Sequence, residues 1–340
     1  MKAWSAREAV FNGVAVMKKL RAMMIAAVSL AGLITGTATA QAADYPNRPV
    51  HWLIGFTAGG PVDVVARIMA QWLSERFGQQ FVVENRAGSG GNIAAATAIN
   101  SPPDGYTLLF VAPNNAISTS LYKHLNYDFI RDTVPVASIM QLTNMLVISN
   151  AMPVKTVQEF IDYCKANPGK VSFASSGYGT SVHMSGELFK AMTGCNMLHV
   201  PYRGSMIAYP DIISNKVQLI FDNMPAGLEQ SRAGSVRALG VTSPQRWVGL
   251  PDIPAIAETV PGFESVGFYG ISAPKGTPPE IVETLNKAVA EALKDPKMIE
   301  RLSAVGGIPK PMTPAEFGKL IADETEKWRK VVEFAGVSVD

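Results

Sequence analysis

The chain has 340 residues, 47% of them hydrophobic and 17% charged, with 30 Lys and Arg against 28 Asp and Glu and a formal net charge of +2 at neutral pH. Its basic cluster lies in the first 21 residues. No such run follows, which argues against nucleic acid and against anionic membrane surfaces, both of which require clustered cations.

The N-terminus reads as a signal for export. Lys18, Lys19 and Arg21 follow Met17, an apolar run of about 13 residues extends from Ala22 to Ile34, and small residues lead to Ala40-Gln41-Ala42. That run is shorter than the roughly 20 residues of a membrane-spanning helix. Residues 1–42 are therefore expected to be a cleaved leader, with Met17 as the true start and the periplasm as destination. Cleavage removes 42 residues and leaves 298; it takes away five cations and one anion, so the charge moves from +2 to −2. At that length one core reaches its limit, and two lobes are expected.

From Pro49 the pattern is α/β, with short apolar runs alternating with helical spacing. Strands are predicted over Val50–Ile54, Phe81–Val83, Tyr106–Val111, Met145–Ile148, Val171–Ala174, Leu198–Val200, Val217–Phe221, Val236–Val241 and Val266–Ala273. Pro61 stands at a first helical position, and Val64, Val65, Ile68, Met69, Trp72 and Leu73 repeat at three and four. Thr156-Val157-Gln158-Glu159 has the form of a capping box. Three helices close the chain, Pro279–Leu293, Pro296–Val305 and Pro314–Phe334, with Asp295 and Thr313 as caps. The simplest division puts 44–141 with 267–340 in one lobe and 142–266 in the other, so the chain crosses twice between them.

Two glycine-rich turns carry the chemistry. Gly55-Phe56-Thr57-Ala58-Gly59-Gly60-Pro61-Val62-Asp63 and Ala174-Ser175-Ser176-Gly177-Tyr178-Gly179-Thr180 each follow a strand and precede a helix. The first amides of a helix lack internal partners and its dipole favours negative charge, so such a turn holds an anion on backbone N–H groups. Two of them suggest a carboxylate clamp. The structural alternative is a tight turn that only packs helix on strand. Asp63, a first-turn carboxylate, stabilises its helix but competes with an incoming anion.

Other candidates are weaker. Asn85, Arg203 and Asn223 close strands and offer polar contacts, Arg203 being suited to a bidentate grip on a carboxylate. His183 falls in a first helical turn and Tyr202 beside Arg203. Ala87-Gly88-Ser89-Gly90-Gly91-Asn92 lacks the Lys-Ser/Thr ending of a phosphate loop, so no nucleotide cofactor is expected. No metal is expected either: His183 and His199 have no E-x-x-H partner, and Cys164 and Cys195 form no C-x-x-C pair. An even cysteine count in an exported chain does leave Cys164–Cys195 as a possible disulfide. The absence of G-x-S-x-G argues against a serine hydrolase; a periplasmic hydrolase using Ser176, His183 and Asp222 is the rival reading.

From Tyr45 onward these pieces resemble the extracytoplasmic solute-binding proteins of tripartite tricarboxylate transporters, the Bug family. The resemblance rests on Tyr45-Pro46-Asn47-Arg48-Pro49, Gly59-Gly60-Pro61-Val62-Asp63, Glu84-Asn85-Arg86-Ala87-Gly88, Ser101-Pro102-Pro103-Asp104-Gly105-Tyr106, Ala166-Asn167-Pro168-Gly169-Lys170, His199-Val200-Pro201-Tyr202-Arg203-Gly204 and Phe221-Asp222-Asn223. It implies a type II periplasmic binding fold, two α/β lobes closing on a small carboxylate without catalysis, and partnership with a membrane permease. A monomer is expected. The clamp then falls on Thr57, Ala58, Gly59, Gly60, Ser175, Ser176, Gly177, Gly179 and Thr180, with Phe56 as an apolar wall. Gly55 departs from the proline common in the family. A ligand-presenting partner of a sensor kinase is a further alternative.

Overall fold

The computed structural model describes residues 45–247 and 249–339. The expected leader, its cleavage site and Met17 lie outside the described residues. In chain order the elements are β1 (Val50–Ile54), α1 (Pro61–Phe77), β2 (Phe81–Asn85), α2 (Asn92–Ile99), β3 (Thr107–Val111), α3 (Pro113–Leu121), α4 (Phe129–Asp132), β4 (Thr133–Ser149), α5 (Val157–Ala166), β5 (Val171–Ser175), α6 (Ser181–Thr193), β6 (Met197–Pro201), α7 (Ser205–Ile213), β7 (Leu219–Asn223), α8 (Met224–Arg232), β8 (Val236–Val241), β9 (Val266–Pro274), α9 (Pro279–Ala292), α10 (Pro296–Ala304), β10 (Gly307–Pro309) and α11 (Pro314–Ala335). None of the described helices is long and apolar enough to cross a membrane.

Ten strands are connected: eight follow the order β2-β1-β3-β9-β4-β7-β5-β6, and β8 and β10 also pair with β4. The 17-residue β4 is the spine. Thr133–Thr143 pair antiparallel with β9, whereas Asn144–Ile148 pair with β7 and neighbouring residues with β8. Only Met145–Ile148 of it shows as a strand in the sequence; Pro135 near its start reads as a breaker. Register shifts between Pro135 and Ala137, and between Ser138 and Met140, accommodate that residue.

Alternation along β4 feeds two cores. Leu146 and Ile148 join Phe160, Phe173, Phe189 and Phe221 on one face, while Met145 and Val147 join Ala174, Tyr209 and Ile220 on the other. A third cluster, including Leu53, Leu109, Phe268, Phe317 and Trp328, packs α2, α3 and α11 against the other half of the sheet. Each buried Phe contributes roughly 2 kcal/mol of transfer free energy.

Local rules set the helix starts. Thr313 and Glu316 exchange capping hydrogen bonds, and Asp295 accepts from Lys297 N at 2.9 Å. The Thr156 box is half formed: its hydroxyl accepts from Glu159 N, but the Glu159 carboxylate reaches back to Lys155 N at 2.7 Å. One expectation needs correction. Cys164 and Cys195 are buried free thiols rather than a disulfide; their influence on one another pushes Cys164 up and Cys195 down to about 7.

Candidate functional site

β1 delivers the first turn and packs it tightly. A Cβ on Gly55 would lie 2.5 Å from Gly91 Cα, so two backbones occupy the space where a proline ring or any side chain would go. Gly59 has φ +82°, the left-handed region glycine tolerates, and Pro61 then starts α1 with Gly60 as an N-cap that has no side-chain acceptor. Asp63, 3% exposed, reaches back and accepts from Gly59 N at 2.9 Å, from Arg67 Nε at 3.0 Å and from Asn85 Nδ2 at 3.0 Å. Burial opposes its charge, yet the bonds from Arg67, Gly59 and Asn85 prevail and hold the carboxyl down at about 2. Asn85 also donates to Phe56 O at 3.0 Å. Both Asn85 and the Gly59 amide are thus committed to the turn itself and do not face the cavity, contrary to a direct contact role.

The second turn, between β5 and α6, is built from neutral groups. Thr180 caps α6 by accepting from His183 N and also donates to Gly177 O at 2.8 Å. Gly177 N donates to Ser175 Oγ at 3.1 Å, and Gly179 N to His183 Nδ1 at 3.3 Å. Gly177 and Gly179 have φ +124° and +73°. Ser175 and His183 are buried beneath the turn, and Tyr202 spends its hydroxyl on Asp211 at 2.8 Å.

Between the turns lies a cavity of about 260 Å³. Phe56, Thr57, Gly60, Ser176, Thr180, Arg203 and Asn223 line it; Ala58, Gly59, Asn85, Ser175, Gly177, Gly179, His183 and Tyr202 do not. The lining also includes Pro61 and Val62 at the start of α1, Ala112, Pro113 and Asn114 at that of α3, Ser181 and Val182 at that of α6, and Gly204 and Ser205 at that of α7. Asn223 is the N-cap of α8. Five helix N-termini therefore meet at one cavity, each equivalent to roughly half a positive charge. Among the lining residues Arg203 is the one formally charged side chain, and no carboxylate lines the wall. A small anion is what this arrangement attracts.

Two of those N-termini, those of α3 and α8, escape a reading that looks for glycine, being capped by Ala112 and Asn223. The signal for α3 is Ala112-Pro113 directly after β3, the same strand-then-proline arrangement as Gly60-Pro61. Asn114 ties this end to the glycine loop, donating to Gly90 O at 2.8 Å. Below α8, Asp222 is buried and its pKa is raised to about 6 by that burial, against bonds from Tyr209, Ser205 and Asn223 N. Among the described residues no hydrogen bond joins Ser176, His183 and Asp222, and no cluster of His, Cys, Asp and Glu could hold a metal.

The comparisons agree with this architecture. Residues 65–337 match the model described as "Tripartite tricarboxylate transporter family receptor". Protein BugT of Bordetella pertussis is 36% identical over 95% of this chain and 99% of its own length. Among solved structures, R. palustris Rpa4515 with adipate superposes with TM-score 0.79 at 38% identity, covering 86% of this chain and 99% of that one. MatC from Rhodopseudomonas palustris with bound malate gives 0.75 at 29%, covering 85% and 100%. Such neighbours are two-lobed α/β periplasmic binding proteins rather than enzymes. On sequence, fold and cavity alike, the chain belongs to the receptor family of tripartite tricarboxylate transporters, as a solute-binding protein of the Bug type.

Proposed function

We propose that the mature chain works in the periplasm, capturing a small carboxylate and handing it to the membrane permease of a tripartite tricarboxylate transporter. The observation that carries this reading is the meeting of five helix N-termini on a cavity whose only formal charge is Arg203. Adipate and malate in the neighbouring structures are both dicarboxylates, which supports the same ligand class here. One carboxylate sits between the two glycine turns; Arg203 meets the far end of the ligand. Capture proceeds by closure of 44–141 with 267–340 onto 142–266, and the change of partners along β4 at Thr143–Asn144 supports a hinge there. Ligand shifts that equilibrium only by its preference for the closed form.

Thermal and calorimetric titration of the purified mature protein with di- and tricarboxylates, aromatic acids and acidic amino acids tests the reading. A true ligand at a hundred times its Kd stabilises by about 2.7 kcal/mol. Arg203→Ala is expected to weaken a dicarboxylate about tenfold while sparing a monocarboxylate, the scale of one exposed charge-assisted hydrogen bond. No stabilisation by any of these acids at millimolar concentration would overturn the proposal. Crosslinking in membranes of cells that express the permease tests delivery.

A further inference from the structure

Beneath the second turn lie two rings that carboxylate capture leaves without a role. The imidazoles of His183, on α6, and His199, on β6, stack with centroids 3.9 Å apart. Phe173 stacks on His199 at 4.9 Å, and Tyr178, within the turn, sets its edge against both imidazoles at 5.5 and 5.0 Å. His199 Nε2 lies 2.6 Å from Ser175 Oγ, the same oxygen that accepts Gly177 N–H; His183 Nδ1 accepts Gly179 N–H. Both glycine amides of the turn are therefore held through this pair. An accepting Nδ1 carries no proton, so the His183 proton sits on Nε2, 3.7 Å from Glu187 Oε1.

We infer that His183 and His199 are positioning residues for anion capture: a neutral stacked pair that fixes the 175–180 turn so that its remaining amides face the cavity. The role in capture rests on the carboxylate reading above; the ordering of the turn does not.

The surroundings favour neutrality. On α6 itself Glu187 is paired with Lys190 at 2.8 Å. β5 contributes Phe173 and the Ser175 hydroxyl, β6 contributes His199, and β4 faces α6 with the neutral Asn144, which donates to Ser185. From β7, Phe221 packs on Phe189, while Asp222 is bonded to Tyr209. α11 brings Asp323, Glu326, Lys327 and Lys330 to the surface around Leu188. Burial first, then His199 and Lys190, lowers His183 to about 3; burial, then Lys190, lowers His199 to about 4. Protonating His183 removes the acceptor for Gly179 N–H.

Amide hydrogen exchange of the ligand-free chain at neutral pH tests this directly, with adipate affinity as a second readout. His183→Leu should speed exchange at Gly179 about tenfold and weaken adipate about tenfold, the scale of one lost hydrogen bond. His183→Asn restores an acceptor near the Nδ1 position and should recover most of both, whereas His183→Gln, with its amide further out, should not. If the leucine variant fails to fold, the Asn and Gln variants carry the comparison. Equal exchange at Gly179 in the Asn and Gln variants, or wild-type exchange in the leucine variant, overturns the inference. Should the wild-type chain bind no acid while Gly179 follows the expected pattern, the carboxylate reading fails and the positioning of the turn stands.

Discussion

The two glycine turns border one cavity, yet opposite chemistries hold them. In the first, a buried carboxylate at Asp63 gathers Gly59 N, Arg67 and Asn85. In the second, a hydroxyl and two uncharged imidazoles gather Gly177 N and Gly179 N. The difference teaches how an anion site tolerates its own scaffold. A full negative charge can support such a turn if a cation neutralises it from behind, as Arg67 does; the second turn is held without placing a charge on its amides at all. Asp63 is therefore a scaffold component whose repulsion is cancelled on the side away from the cavity.

The largest expected effect breaks the first support. Asp63→Ala leaves Gly59 N, Arg67 and Asn85 without their shared acceptor and should cost about 3 kcal/mol in urea unfolding. Gly55→Ala comes next, because its Cβ would overlap Gly91 Cα; overpacking of this kind costs about 2 kcal/mol, measured the same way.

Acid separates the two turns in successive windows. Unfolded histidine binds protons below its ordinary 6.5, whereas folded His199 and His183 do so only near 4 and 3; the unfolded state gains protons first, so stability falls as pH drops from about 6.5 toward 4. Asp63 titrates from its ordinary 3.8 down to about 2, so its contribution is full above about pH 4 and lost below that. Unfolding free energy measured against pH should therefore show a first decline that His183→Asn with His199→Gln reduces, and a second that Asp63→Asn reduces. The smallest effect sharpens a local contrast. Thr180→Ala removes the side-chain cap of α6 and should cost about 1 kcal/mol, while Gly60, with no side-chain cap to lose, has no counterpart.

Much of this plan is legible in the amino acids. Strand-turn-helix order, glycine at positions of positive φ and proline at first helical positions are local signals, and they locate both turns and the α/β class. What escapes is long-range. Nothing near Asn85 says that its amide will be spent on Phe56 O and Asp63, and nothing near His183 says that His199 will stack on it. The start of β4 is hidden for the opposite reason: a local proline signal at Pro135 is overridden by register shifts against β9. Gly55 reads in the sequence only as a departure from a family proline, and the close approach of the Gly91 backbone is what leaves no room for a side chain there.

The convergence of five helix starts has a consequence for descent. Peptide dipoles are common to every residue type, so drift among the cavity's side chains reshapes which acid fits while the pull on its charge persists. Paralogues can thus explore new nutrients by point replacement, without first rebuilding the means of attraction.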